Sequence, residues 1–224
     1  MSASTPEEIA QNLWIAIAEQ RLRPGTRLKE AELAEIFAAS RARVRQALVQ
    51  LEQEGMVEIL PNKGASVAAP TPEEARDVFH LRRAVEERVI ERLLSHLDAR
   101  KIDRIARHIS LERRAAAQGN RRATIRLSGG FHLLLAELAE AEFLVSTLRQ
   151  LVSRSSLITA AFGDNRPPDC GPDEHALILE HLKAGREAEA QAALRHHLEH
   201  VEAHLNLTSA TPITRSLREI LGKV

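Results

Sequence analysis

Apolar residues recur at helical spacing through most of this chain. Between Thr5 and Glu19, Ile9, Leu13 and Ile17 stand at four-residue steps, and Pro6 with two glutamates occupies the first turn, where each suits a helix start. Arg23-Pro24-Gly25-Thr26 reads as a turn, and Glu30 to Ala38 carries Leu33, Ile36 and Phe37 in a short second helix. After a tight connection a third begins: Ser40 suits its cap, and Val44, Leu48 and Leu51 form one buried stripe. Arg41 and Arg45 lie one turn apart on another face, with Arg43 beside them. Two helices so joined, the second basic, are what a helix-turn-helix requires.

The period changes after Gly55, a plausible C-cap. Met56 to Leu60 alternates as a strand, Pro61-Asn62-Lys63-Gly64 turns, and Ala65 to Ala69 makes a second strand, so a small hairpin closes the region as a wing. Ala69-Pro70-Thr71-Pro72 then stiffens the backbone, and the domain boundary is expected there, after residues 1–70. From Pro72 to about Leu207 the pattern is helical, broken at His96 to Ala99, Gly119-Asn120, Ala139 to Ala141, Gly163 to Pro172 and Gly185. Val78, Leu81, Val85 and Val89 line one side of a long helix, and Ile102, Ile105 and Ile109 the next. The expected fold class is mainly α: an N-terminal winged helix-turn-helix domain followed by an all-helical bundle over residues 71–208. Residues 209–224, restarting at Thr211-Pro212, read as a C-terminal helix or tail.

Composition narrows the function only a little. The 224 residues hold 31 basic and 31 acidic side chains, so whole-chain charge favours neither nucleic acid nor membrane. Even residues 1–69 carry 8 Lys or Arg against 9 Asp or Glu, so any DNA contact rests on the local cluster of Arg41, Arg43 and Arg45. Aromatic residues are 3% of the chain, which leaves the bundle few rings to stack on bases. The lone Cys170 excludes an internal disulfide. Met-Ser-Ala-Ser-Thr-Pro-Glu-Glu has neither a basic n-region nor an apolar core, and no apolar run nears the ~20 residues that cross a bilayer. A cytoplasmic protein without membrane contact is expected.

Residues 9–68 closely resemble the DNA-binding domain of the GntR family of bacterial transcription regulators. The resemblance is carried by Arg23-Pro24-Gly25-Thr26-Arg27-Leu28, Glu32-Leu33-Ala34, Ser40-Arg41, Val44-Arg45-Gln46-Ala47-Leu48, Leu51-Glu52, Glu54-Gly55-Met56-Val57 and Lys63-Gly64-Ala65-Ser66-Val67. Ala38-Ala39 stand where the family usually has Gly and a small apolar residue, and Ala42-Arg43 where it often has Thr-Pro. The helical remainder resembles the FadR-type branch, whose C-terminal (FCD) domain binds a small acid, often around a metal ion. Arg82-Arg83-Ala84-Val85-Glu86, Phe131-His132, Glu174-His175 and His197-Leu198 carry that part.

Several roles follow from the resemblance. Arg41 and Arg45, then Ala42, Arg43 and Gln46, would contact bases or phosphates from a helix in the major groove, and Asn62, Lys63 and Gly64 would reach phosphate or minor groove from the wing. His132, His175 and His197 match the metal positions and suit zinc or nickel. Ser128 stands where the family usually has an Asp ligand, which removes a charge and a bond. Arg82 would receive an effector carboxylate, a surface ion pair with Glu86 being the alternative; Arg126 and Arg149 are further pocket candidates. The implied partners are a palindromic operator in double-stranded DNA, a small carboxylic acid and a second copy of the chain. His196, His200 and His204 form a further face, solvated or turned to a partner. A metal-dependent hydrolase or lyase with Glu174 as general base is the competing reading, and a purely structural adaptor leaves the arginine cluster unexplained.

Overall fold

The computed structural model describes residues 4–163, 171–207 and 217–221. Helix α1 (Pro6–Ala18) opens with a capping box, in which Thr5 Oγ1 accepts from the Glu8 amide and the Glu8 carboxylate accepts from the Thr5 amide. Helices α2 (Glu30–Ile36) and α3 (Arg41–Gln53) follow, with Ser40 capping α3 through the Arg43 amide. Ala38, in the connection, has φ 48°. That left-handed conformation explains why glycine is the usual residue at this point, and an L side chain there costs roughly 1–2 kcal/mol.

The hairpin is present and slightly shorter than expected: β2 (Val57–Leu60) pairs antiparallel with β3 (Gly64–Val67). A third strand was not anticipated. Arg27 and Leu28, which follow the Arg23–Thr26 turn, form β1 on the other edge of β3, giving the order β1-β3-β2. Two residues carry no readable alternation, so only the pairing partner defines such a strand.

Ile9, Leu13, Ile17, Leu33, Val44, Leu48, Leu51 and Val67 join one core. Two contributions come from far along the chain: Leu157, and Leu217 with Leu221 from α10 (Leu217–Leu221). The terminal segment therefore returns to the winged helix, tied there by Arg218 to Glu35 at 2.7 Å and by Arg21 to the Ile220 carbonyl at 3.1 Å. Thr211-Pro212 and Cys170 lie outside the described residues.

Helices α4 (Pro72–Leu94), α5 (Ala99–Ala117), α6 (Arg121–Leu138), α7 (Glu142–Phe162), α8 (Gly171–Lys183) and α9 (Glu187–Ala203) build the bundle. Thr71 caps α4, with Pro72 in its first turn. The stripe expected on α4 needs correction, because Leu81 is exposed. The buried face runs Val78, Phe79, Arg82, Glu86, Val89, Ile90 and Leu93, with two charged residues in an otherwise apolar row. On α5, Ile105 and Ile109 are continued by a buried Glu112. In α6, Gly129 and Gly130 let neighbours close in: a Cβ at Gly129 would meet Val152 Cγ1 at 3.1 Å, and one at Gly130 would meet His108 Cε1 at 3.2 Å.

Candidate functional site

The first candidate surface is the exposed side of α3. Burying Val44, Ala47, Leu48 and Leu51 against α1 and α2 leaves Arg41, Ala42, Arg43, Arg45 and Gln46 exposed near the helix N-terminus, where the helix dipole favours an anion. Arg45 forms a two-bond pair with Glu30 at the start of α2, Nε to Oε1 at 2.9 Å and Nη2 to Oε2 at 2.8 Å. Those bonds hold the Glu30 carboxyl below its usual range. Arg43 Nη1 reaches the Ser4 carbonyl at 3.4 Å. Asn62, Lys63 and Gly64 form the exposed tip of the wing, with Asn62 at φ 61° and Gly64 at φ 78°. Arg27 Nη1 contacts the Lys63 carbonyl at 3.4 Å, so the third strand supports that tip.

The second is a cavity of about 90 Å³ inside the bundle, walled in part by Arg82, Ser128, His132, Ser155, Thr159 and His197. Three helices bring the imidazoles together: His132 from α6, His175 from α8 and His197 from α9 are all buried, and one nitrogen of each lies within 4.8 Å of the others. His175 Nε2 and His197 Nε2 are 3.3 Å apart.

Every Nδ1 of the three is engaged by a carboxylate. Glu86 meets His132 at 2.5 Å, Glu112 meets His175 at 2.9 Å, and Glu174 meets His197 at 2.7 Å. With the carboxylates accepting from Nδ1–H, the Nε2 lone pairs are left for a shared cation, the arrangement in which a carboxylate orients a metal-binding histidine. Phe131 stacks on the His175 ring, centroids 3.8 Å apart, and so restrains it further.

For the protonation of His132 and His175 the electrostatics agree with this use. Burial, only partly offset by Glu86, pushes His132 down to about 4, and burial together with the neighbouring His197 and His132 drives His175 well below its ordinary value. At neutral pH both rings are therefore uncharged, the state in which imidazole ligates a metal. Burial raises Glu86, but Arg82 and His132 outweigh it and hold the carboxyl at about 2. Burial lifts Glu112 to about 8, against the pull of Arg113.

Arg82 is 5% exposed and lines the same cavity. Its Nε donates to Glu86 Oε1 at 2.9 Å and its Nη1 to Ser155 Oγ at 3.0 Å, while Nη2 is buried with no hydrogen-bond partner among the described residues. The Arg82–Glu86 pair is thus interior, and the surface alternative for it is set aside. Ser128 does line the cavity.

Two expected pocket arginines are elsewhere. Arg126 is turned outward, 3.6 Å from Glu19 at the end of α1. Arg149 lines a crevice with Trp14, Gln50 and Glu54, against the winged helix. Glu112 was missed altogether. Its signal was a lone carboxylate in register with Ile105 and Ile109, on a face that otherwise carries apolar residues. Glu174 spends both oxygens as an orienting partner, taking His197 on one and His200 Nδ1 on the other at 2.7 Å.

A winged helix whose third helix bears arginines, joined to a helical bundle whose cavity holds a buried arginine and histidines, defines a class of DNA-binding transcription regulators. Residues 5–67 match the model of the bacterial regulatory proteins of the gntR family, and residues 77–200 match the FCD domain. This chain belongs to the GntR family, in its FCD-containing form, and is a transcription regulator rather than an enzyme. The uncharacterised transcriptional regulator YdhC of Bacillus subtilis is 25% identical, over 80% of this chain and 84% of its own length. The transcriptional repressor RspR of Escherichia coli is also 25% identical, over 80% of this chain and 78% of its own. The solved structure of E. coli McbR/YncC shares the fold with a TM-score of 0.79 at 19% identity, covering 90% of this chain and 97% of that one. Among the described residues no helix is long and apolar enough to cross a membrane.

Proposed function

We propose that this regulator acts as a homodimer in the cytoplasm, its two α3 helices entering successive major grooves of a palindromic operator, and that a small organic acid in the bundle cavity sets its operator affinity. One observation carries the effector reading: the cavity is lined by a guanidinium whose buried Nη2 has no partner among the described residues, together with the imidazoles of His132 and His197, with His175 close to both. A buried unpaired donor costs about 1–3 kcal/mol, more for a charged group, and an incoming carboxylate removes that cost.

The residues suit a divalent metal, zinc or nickel, held by His132, His175 and His197. When bound it would supply positive charge and open coordination positions to the acid. Ser128 in place of the usual Asp weakens that site by one charged ligand and leaves more room for the effector. Arg82 holds the carboxylate, Glu86, Glu112 and Glu174 orient the imidazoles, and the cavity of about 90 Å³ suits a small acid. Arg41 and Arg45 are the first candidates for base contacts, supported by Ala42, Arg43 and Gln46, with Asn62, Lys63 and Gly64 on phosphate or minor groove. A dimer is needed because one helix reads too few base pairs to single out a site. Because the E. coli relative is named a repressor, we extend repression to this chain as its mode of action.

The test is operator selection from random duplexes with the purified full chain, followed by titration of salt, zinc and small acids. Palindromic sites, affinity that falls steeply with salt, and a response to an acid that vanishes in Arg82→Gln are expected. Salt-insensitive binding would reject the DNA interface. Zinc and acids that leave both stability and operator affinity unmoved would reject the effector cavity.

A further inference from the structure

One turn of α7 touches both functional regions. At 100° per residue, Ser153 and Leu157 share one face, while Ser155 and Thr159 share a nearly opposite one. On the first face, Ser153 Oγ accepts the indole N–H of Trp14 in α1 at 2.8 Å, and Leu157 is fully buried in the core of the winged helix. On the second, Ser155 Oγ accepts from Arg82 Nη1, and Thr159 lines the cavity. Arg154, between them, pairs with Glu74 at the start of α4 and lies directly over Gly55, the residue that follows the C-cap of α3. Gly55 has φ 71°, and any Cβ there would run into the Arg154 guanidinium.

Both serines are buried, at 0% and 5% exposure. Hydroxyls there are costly unless bonded, and each is bonded to a long side chain from another helix: one from the reading domain, one from the cavity. A hydrogen-bonded helical turn moves as a unit, so its two faces cannot shift independently.

We propose that the Ser153–Leu157 turn of α7 relays the state of the cavity to the winged helix. This rests on the cavity being the effector site. A carboxylate that competes for the Arg82 guanidinium loosens Nη1 from Ser155; α7 then resettles, and Trp14, Leu157 and the Arg154 seat on Gly55 are displaced with it. Ser155 and Ser153 are positioning residues that act through Arg82 and Trp14.

Trp14 is the single tryptophan of the chain, so its fluorescence reads the far end of the relay directly. In the ligand-free full chain, Ser155→Ala and, as a second perturbation of the same bond, Arg82→Lys should each shift the Trp14 emission maximum at unchanged helix content by circular dichroism. Ser146→Ala, an exposed position on the same helix, should not. In a second arm, zinc alone and zinc with acetate are titrated, with uptake followed by calorimetry. Wild type should bind and shift its emission; Ser155→Ala should bind with its emission unmoved.

The relay is overturned if neither ligand-free variant moves Trp14, or if Ser155→Ala responds to zinc and acetate as wild type does. Calorimetry showing no uptake of either probe sinks the effector reading instead, and the ligand-free arm then decides the relay alone.

Discussion

Two arginine–glutamate pairs in this molecule use the same chemistry to opposite ends. On the reading face, Arg45 grips Glu30 with two hydrogen bonds, their side chains 67% and 32% exposed. In the cavity, Arg82 and Glu86 are one turn apart on α4, with side chains 6% and 2% exposed. Water screens the first pair and competes for both partners, so trading Glu30 for a DNA phosphate or base edge changes little in the folded protein. The second pair is withdrawn from bulk water. Its Nη2 donor, unpaired among the described residues, would be satisfied by an acceptor that enters the cavity. On the proposed function, exposure suits Arg45 to exchange partners, and burial suits Arg82 to hold one ligand.

Removing the carboxylate from each pair should show the contrast most strongly. Glu86→Ala leaves the Arg82 charge buried and should cost about 3–5 kcal/mol in chemical denaturation. Glu30→Ala should fall within the spread of ordinary surface substitutions. Equal effects would break the comparison. The pH dependence carries the same signature. Glu86 is held at about 2 in the fold against 4.5 ordinarily, so its contribution is present above about pH 4.5 and is lost as pH falls towards 2. His132, at about 4 against 6.5, acts in the same sense: the unfolded chain takes up its proton first as pH falls below 6.5, so stability declines from there towards 4. An acid titration of unfolding free energy should therefore slope downward through both windows, and Glu86→Gln should flatten the lower one.

Zinc should stabilise the wild type by about 2.7 kcal/mol at a concentration one hundredfold above Kd, read as a raised melting temperature. His175→Ala should abolish that shift, and Glu112→Gln should weaken zinc affinity by about 10- to 100-fold, since it only orients His175. A full zinc response in His175→Ala would remove the metal from the cavity. On the reading face, Arg41→Ala and Arg45→Ala should each relax discrimination at one operator position by about tenfold to a hundredfold, with unfolding unchanged. The smallest effect belongs to Ala38→Gly: relieving φ 48° should raise stability by up to about 1 kcal/mol, measured by denaturant unfolding.

The winged helix was the more legible half. Ile9, Leu13, Ile17, Val44, Leu48 and Leu51 declared their helices by spacing, and Thr5, Ser40 and Gly55 marked the ends, because each signal lies within a turn or two of the residues it organises. The Ser40–Arg45 stretch placed its arginines outward for the same reason: burying one stripe of a helix exposes the other. Strand β1 escaped notice because two residues acquire strand character only from β3. In the bundle the helices were readable, but side-chain direction was not. Leu81 was assigned inward and Arg126 and Arg149 to the pocket, whereas a charged or apolar residue at the margin of a stripe is turned by its neighbours. His132, His175 and His197 were picked out by resemblance to a family; nothing in their spacing of 43 and 22 residues would bring them together.

The sequence by itself therefore determined the helices, the wing, the reading face and the family, since periodicity, caps and contiguous motifs are local properties. The tertiary structure alone decided which carboxylate backs each histidine, that Arg82 keeps one buried donor unpaired among the described residues, and that a single turn of α7 joins the cavity to the reading domain. Those features arise where the six helices α4 to α9 converge and α1 packs against α7. Convergence is a product of packing, and packing couples residues that no local pattern relates.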